Sequence, residues 1–464
     1  MCSTPSIGLC FMEHATTGQP SLAELFRNRN FSKFWVGQLI SYLGDRIDQM
    51  AMIGVLSVGV SKEIASDRAN LITFWATLAY VVFGPFAGPI IDRFDRRRLM
   101  ILMDILRAGV VLALPFCISP SHHPGVIYAI VFLIGLATSV FAPAKSAFIP
   151  EIVPQEHLLR ANSVTSTMGT LTVLFGTVIG GALVSALNQP NWFVDQLGWL
   201  FPREKMPPGL GFAFLIDALT YLVSALLLFW IVVPRAVAGY EEERRRRVRA
   251  EGSFWGQLQD GIRYLTHHRL PATAALIQSW FFFVGGAYFT IVTKLVYLRL
   301  SPSNEQATEY LGYAYGALGV GLVCGGLLTG IYGGRLSLRW LVTGCFAVAS
   351  FTVATLTLPL PPWSLYLVNL VVGYVGGGVA VCMDTLLQRV VPDEYRGRVF
   401  ALTNLLLNSL LLISIWLGAN YLGSTPTSIH YFTLVTAIGV LLGVPIAWFG
   451  FPARLRITQV ETQS

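Results

Sequence analysis

The chain has 464 residues, 54% of them hydrophobic and 12% charged, with a formal net charge of +7. Soluble domains carry about a quarter charged residues, so this composition excludes a soluble domain and leaves a polytopic membrane protein. The six cysteines have no paired spacing, and no His/Cys cluster, nucleophile motif or G-x-x-x-x-G-K-[ST] phosphate loop occurs, so neither a metal, a cofactor, an enzyme activity nor ATP as energy source is expected.

Residues 1–31 read as a cytoplasmic tail. The opening "MCSTPSIGLCFMEHATTGQP" lacks the basic start and apolar core of a secretory signal. Twelve apolar runs of roughly 20 residues follow, each long enough to cross a ~30 Å hydrocarbon layer as a helix. They lie at 33–59, 70–92, 99–118, 126–149, 162–187, 211–233, 272–298, 310–333, 340–358, 364–389, 400–423 and 429–451. The predicted fold is therefore all-α: two six-helix bundles, 32–233 and 272–452, a cytoplasmic linker 234–271, and a cytoplasmic tail 453–464.

The first span carries "GQLISYLGDRIDQ". Gln38, Ser41, Asp45 and Asp48 are spaced three, four and three, so they share one helix face, a polar stripe expected to line a central cavity. Asp45 falls near mid-membrane. An ionisable group there costs on the order of 3 kcal/mol and calls for a partner or a task. Two carboxylates one turn apart repel, so one can hold a proton and exchange it when access alternates.

The second span ends in "GPIIDRFDRRRLM", where Gly88 permits close approach and Asp92 and Arg93 can form a conformational latch. Arg96, Arg97 and Arg98 anchor the loop, with Arg97 close enough to join the latch. In the third span Asp104 and Arg107, three apart, read as a helix-surface ion pair supporting that latch. Asp217 in the sixth span is a second candidate proton site. Asp384 in the tenth span, near Arg389 and Arg396, and Arg398 just beyond it, read as gate residues.

Further along, Asn162, Ser166 and Thr170 of the fifth span face Asn404 and Asn408 of the eleventh by repeat position, uncharged groups suited to a pore or to helix stitching. Between the fifth and sixth spans, "NQPNWFVDQLGWLFPREKMPPGLG" reads as an outer interfacial segment. "EEERRRRVRA" at 241–250 reads as a solvated linker beside anionic headgroups rather than a nucleic-acid patch. The seventh span is crowded with Trp280, Phe281, Phe282, Phe283, Tyr288 and Phe289, a wall for a bulky ligand or for packing. Glycines crowd the eighth and tenth, allowing tight and flexible contact.

Charge fixes the orientation. The side holding the N-terminus and the gaps after even-numbered spans collects 24 of the 32 Lys and Arg, which places both termini in the cytoplasm. The halves also repeat. "GPIIDR" matches "GIYGGR" at an offset of 242, and "VPQEHLLR" matches "VPDEYRGR" at 238, the signature of parallel repeats rocking about a midplane site.

"GPIIDRFDRRRLM" resembles the G-x-L-A-D-R-x-G-R-[RK] loop of the major facilitator superfamily. "FRNRNFSKFWVGQLISYLGD", "PAKSAFIPEIVPQEHLLRANSV" and "LLQRVVPDEYRGRVFAL" resemble its branch of macrolide and enterobactin exporters. Three positions depart from the pattern: Asp95 replaces a loop glycine, the fourth span lacks an arginine, and Thr177 in "GTVIGG" replaces the proline of the antiporter motif. The resemblance implies a monomeric inner-membrane transporter exporting a small amphiphilic organic substrate in exchange for protons. A lipid or lysophospholipid flippase of the same fold, and a non-transporting receptor or scaffold, are the alternatives.

Overall fold

The computed structural model describes residues 22–117, 124–154, 157–189, 207–233, 254–333 and 336–453, with 196, 200 and 455. Among these the chain is helical, with no strand. A short α1 (Leu22–Arg27) leads into α2 (Arg29–Ser57), α3 (Lys62–Arg93), α4 (Arg96–Cys117), α5 (Gly125–Ile152), α6 (Leu158–Asn188) and α7 (Pro208–Phe229). The second half comprises α8 (Phe254–His267), α9 (Arg269–Leu295) with a π turn at Val296–Leu300, α10 (Asn304–Tyr332), α11 (Leu338–Thr355), α12 (Ser364–Val390), α13 (Asp393–Tyr421), α14 (Pro426–Leu441) and α15 (Gly443–Gly450).

Local chemistry sets several of the ends. The Asn28 side chain accepts from the amides of Asn30 and Phe31 and so caps α2, satisfying donors that have no partner in the first turn. Asp95 accepts from the Arg98 amide at 2.8 Å and so caps the start of α4. The twelfth expected span divides at Leu442 into α14 and α15, because Pro445 has no amide to continue the ladder.

Ten helices are long and apolar enough to cross a membrane among the described residues. The first expected span is the helix α2 but falls outside that set, because Asp45, Arg46 and Asp48 interrupt its apolar run. In α6 the described apolar stretch is Phe175–Asn188. The predicted linker 234–271 contains the amphipathic α8, while its basic block at 241–250 lies outside the described residues, as does most of the interfacial segment between the fifth and sixth spans.

Within the first half α2 packs on α6 and α7, α3 on α5, and α4 on α5 and α7; within the second, α10 packs on α12, α9 on α13, and α11 on α12 and α14. The halves meet along α6–α10 and α3–α13. The apolar cores reveal how they meet. Near the termini each half has its own core: Phe31, Met100, Phe148 and Leu228 in one, Ile277, Phe346, Leu386 and Leu402 in the other. At the remote end a single core joins both halves, with Met50, Ala65 and Phe214 packed among Tyr288, Val296 and Leu311. Burial of apolar surface is the main cohesive term, so the halves are closed at the remote end and separate toward the termini.

Candidate functional site

The charged centre of the first half is built on α2. Gly44 has no side chain, and a Cβ there would run into Asp217 and Thr220 of α7. That gap lets the two helices approach and brings Asp217 beside the aspartates of α2. Asp45 accepts a hydrogen bond from the Tyr221 hydroxyl and lies 3.9 Å from Arg107 of α4. Arg107 is ion-paired to Asp104 and sits 4.4 Å from the ring centres of both Phe141 and Tyr221, an aromatic sandwich that suits a guanidinium out of water.

Two carboxylates, Asp104 and Asp45, thus reach one guanidinium, with Asp48 and Asp217 close by, and the four are unequally satisfied. Asp217 accepts from Thr220 at 3.2 Å, yet its Oδ2, like Oδ1 of Asp48, is buried with no partner among the described residues. Asp45 is the one with access, its side chain 21% exposed. It opens with Asp48 into a cavity of about 250 Å³ between α2, α3 and α5, lined also by Arg46, Gln49, Met52 and Thr138. Buried oxygens without donors are costly, and a proton is the smallest species that satisfies one.

A second cavity of about 280 Å³ lies on the seam between the halves, where α3 and α5 face α13 and α8; Tyr80, Pro143, Leu258, Arg398, Asn404 and Asn408 are among its walls. At the remote end the halves are tied. Lys294 of α9 pairs with Asp67 of α3 at 2.9 Å, Lys62 donates to the Ser301 carbonyl at 2.6 Å, and Ser57 and Tyr297 share a hydrogen bond of 2.7 Å. Asn304 donates to the Val60 carbonyl at 2.7 Å, and Ser185 donates to Glu309 at 2.8 Å.

Several expectations change. The stripe on α2 divides: Asp45 and Asp48 line a cavity, but Gln38 and Ser41 are buried, Gln38 donating to Ser224 of α7 at 3.4 Å. The cavity reached by Asp45 lies within the first half rather than between the two. Asp104 and Arg107, expected on a helix surface, are 0% and 1% exposed; their face of α4 packs on α7, so they belong to the carboxylate centre and not to the loop. Asn404 and Asn408 do line a cavity on the seam, opposite Tyr80, Gly84 and Pro143.

Three of the residues assigned to a latch, Arg97, Asp384 and Arg398, bond within their own halves. Arg97 donates to the carbonyls of Leu228 and Phe229 at the end of α7, where a cation meets the negative end of the helix. Asp384 accepts from Gln278 at 2.9 Å, and Arg398 pairs with Asp260 of α8 at 3.0 Å. Arg93 is exposed. Gly88 lies within α3, and the side chain of Asp92 lies outside the described residues.

The crowded aromatics of α9 are largely packing: Trp280 donates to the Gly439 carbonyl, Tyr288 to Asn369, and Phe289 stacks on Tyr315. The sequence reading passed over Tyr221, whose only signal is its place four residues after Asp217. It also passed over Tyr80, and over Lys145, which lies inside α5 with its ammonium on the ring and hydroxyl of Tyr42.

Comparison with known proteins agrees with this architecture. The chain is 22% identical over 422 residues to macrolide efflux protein A of Streptococcus pyogenes, covering 89% of this chain and 94% of that protein. It is 24% identical over 472 residues to an uncharacterised MFS-type transporter of Mycobacterium tuberculosis, covering 97% and 99%. Among solved structures, a bacterial homologue of the human lysosomal transporter Spinster in an inward-facing, unoccupied conformation superposes with a TM-score of 0.71 at 14% identity, covering 94% of this chain and 99% of that one. A bacterial homologue of the iron transporter ferroportin in its inward-facing state gives 0.62 at 16% identity, covering 93% and 99%. The family model of the Major Facilitator Superfamily matches residues 34–416, and the chain, a multi-pass membrane transporter, belongs to that superfamily.

Proposed function

We propose that this transporter exports a small amphiphilic organic molecule from the cytoplasm in exchange for entering protons. In this reading it is a monomer in the inner membrane with both termini in the cytoplasm. The observation that carries the proposal is Asp45: a partly exposed carboxylate facing a cavity, bonded to Tyr221 and within 3.9 Å of Arg107, with the buried Asp48 and Asp217 behind it. The similarity to macrolide efflux protein A over most of both chains supports export as the direction.

Arg107 supplies the switch. With Asp45 ionised, the guanidinium holds carboxylates of α2 and α4 together; with Asp45 protonated, that attraction falls and Arg107 remains with Asp104. A change of one charge in a site of low dielectric alters the association of α2, α4 and α7 by far more than it would in water. The shared apolar core at the remote end and the open seam near the termini fit the half of the cycle in which the cytoplasm has access.

The test is Nile red flux in inverted vesicles energised by a proton gradient. Wild-type protein accumulates the dye and loses it on collapse of the gradient; Asp45→Asn is expressed and folded but shows no gradient-dependent accumulation. Dye movement indifferent to the gradient would instead fit the flippase reading. Binding without flux in proteoliposomes would fit a receptor.

A further inference from the structure

The two cavities are stacked along the same pair of helices. Ile72, Ala76 and Tyr80 of α3 and Val131 and Thr138 of α5 line the carboxylate cavity. The next turns of the same helices, with Tyr80 and Gly84 on α3 and Ser139 and Pro143 on α5, line the seam cavity. Tyr80 is shared by both. It sits in the middle of a spanning helix, 39% exposed, and its hydroxyl makes no hydrogen bond among the described residues. One turn away at Gly84, nothing lies within 4 Å of where a Cβ would stand, so the ring has room on that side.

Their chemistry differs. The carboxylate cavity is charged. Among the described residues the one charged wall of the seam cavity, Arg398, is paired with Asp260 at 3.0 Å, and the rest is apolar surface, amides and the hydroxyls of Tyr80 and Ser139. Asn408 donates to the Asn404 carbonyl at 2.8 Å, leaving its own oxygen free to accept, and the side chain of Asn404 is exposed with no hydrogen bond among the described residues. A charged ligand would be desolvated there without an opposite partner; an uncharged amphiphile with hydrogen-bonding groups would not.

We infer that the exported substrate is uncharged in its bound form and occupies the seam cavity. Its apolar body lies on Leu258 and Pro143, its polar group is held by Asn404 and Asn408, and Tyr80 is the shared wall through which substrate and proton exclude each other. Substrate in the seam pushes the Tyr80 ring toward Asp45 and Asp48 and fills the space a proton carrier needs. An empty seam lets the ring fall back toward Gly84 and opens the acids. This rests on the exchange reading above and adds the substrate class, its subsite and a positioning residue.

The experiment uses the full chain, purified, with Nile red as neutral probe and rhodamine 6G as a cation of comparable size. Equilibrium dye binding in detergent is expected to weaken about tenfold in Asn404→Ala/Asn408→Ala, the value of one or two lost hydrogen bonds, and rhodamine 6G to bind wild-type protein at least about tenfold more weakly than Nile red. In proteoliposomes with an internal pH indicator, excess Nile red on the side from which protons enter is expected to suppress proton entry through wild-type protein and through Tyr80→Phe, which keeps the ring, but not through Tyr80→Ala. Unchanged Nile red affinity in the double variant, or preference for the cation, overturns the subsite. Proton entry that excess dye suppresses as strongly in Tyr80→Ala as in wild-type protein overturns the shared wall. Wild-type dye flux without any proton movement overturns the exchange reading and Tyr80's part in it, while the binding arm is decided by itself.

Discussion

At the scale of single residues, Arg107 carries the densest set of obligations. It is paired with Asp104, reaches Asp45 and fills the space between Phe141 and Tyr221. Removing one partner of a buried pair leaves an uncompensated charge and costs about 3–5 kcal/mol, while removing both is far milder. Arg107→Gln should therefore unfold at markedly lower temperature in detergent, and Arg107→Gln with Asp104→Asn should recover most of the loss; equal losses in both would show that the cost is packing rather than charge. The sequence displayed these charges but not their surroundings. Spacing of three residues describes an ion pair on a helix surface and one inside a bundle equally well, and nothing in the order of residues says that this face of α4 meets α7. Asp45 was legible because a carboxylate at mid-membrane depth is conspicuous alone. Tyr221 was not, since a tyrosine in an apolar run has the look of packing until a carboxylate from another helix is placed against its hydroxyl.

At the scale of elements, the long helices were readable from apolar length alone, and their departures have local causes. α2 is one long helix packed in the bundle although three charges interrupt its apolar run, and Pro445 divides the last expected span. The glycines of the second half show what periodicity cannot: which helix they touch. A Cβ at Gly321 or Gly325 of α10 would collide with the backbone of α12 at Leu370 and Tyr374, and one at Gly373 or Gly377 with that of α10 at Leu318 and Leu322. Small residues at such a crossing allow backbone contact that lipid-facing residues cannot supply. Gly325→Leu forces the two backbones apart, beyond the 1–3 kcal/mol usual for an overpacked core because no side chain can rotate away. The expected result is little folded protein by size-exclusion chromatography, whereas Gly330→Leu, with nothing within 4 Å of its Cβ, should be recovered at wild-type yield. A smaller effect belongs to the cap at Asp95: Asp95→Ala should lower stability by about 1 kcal/mol, seen as a small shift in unfolding temperature.

At the scale of the whole molecule, the question is what holds one end shut. The sequence reading placed the latch in the loop after α3, on the strength of its charge. Among the described residues the hydrogen bonds and ion pairs that cross between the halves are at the opposite end, and one of them is Lys294, 1% exposed, with Asp67 at 2.9 Å and the Leu422 carbonyl also accepting from it. These residues come from α3, α9 and the end of α13, separated by more than 200 positions for Asp67 and Lys294, so no local pattern could announce them. If alternating access is a two-state equilibrium, a contact made in one state only sets the population. Lys294→Met with Asp67→Asn removes both charges together, which avoids stranding either in the membrane. It is expected to weaken the closed remote end by about 1–2 kcal/mol, a factor of roughly 5–30 in population. A cysteine introduced as Gln49→Cys in a cysteine-free background, on the wall of the carboxylate cavity, reports this directly. In the charge-free variant its labelling by a membrane-impermeant maleimide from the remote side should accelerate by that factor, and labelling from the side of the termini should slow. Equal rates in the two backgrounds would mean that the shared apolar core, and not the ion pair, keeps the halves together, and Met50→Ser or Val296→Ser would then be the substitution that opens them.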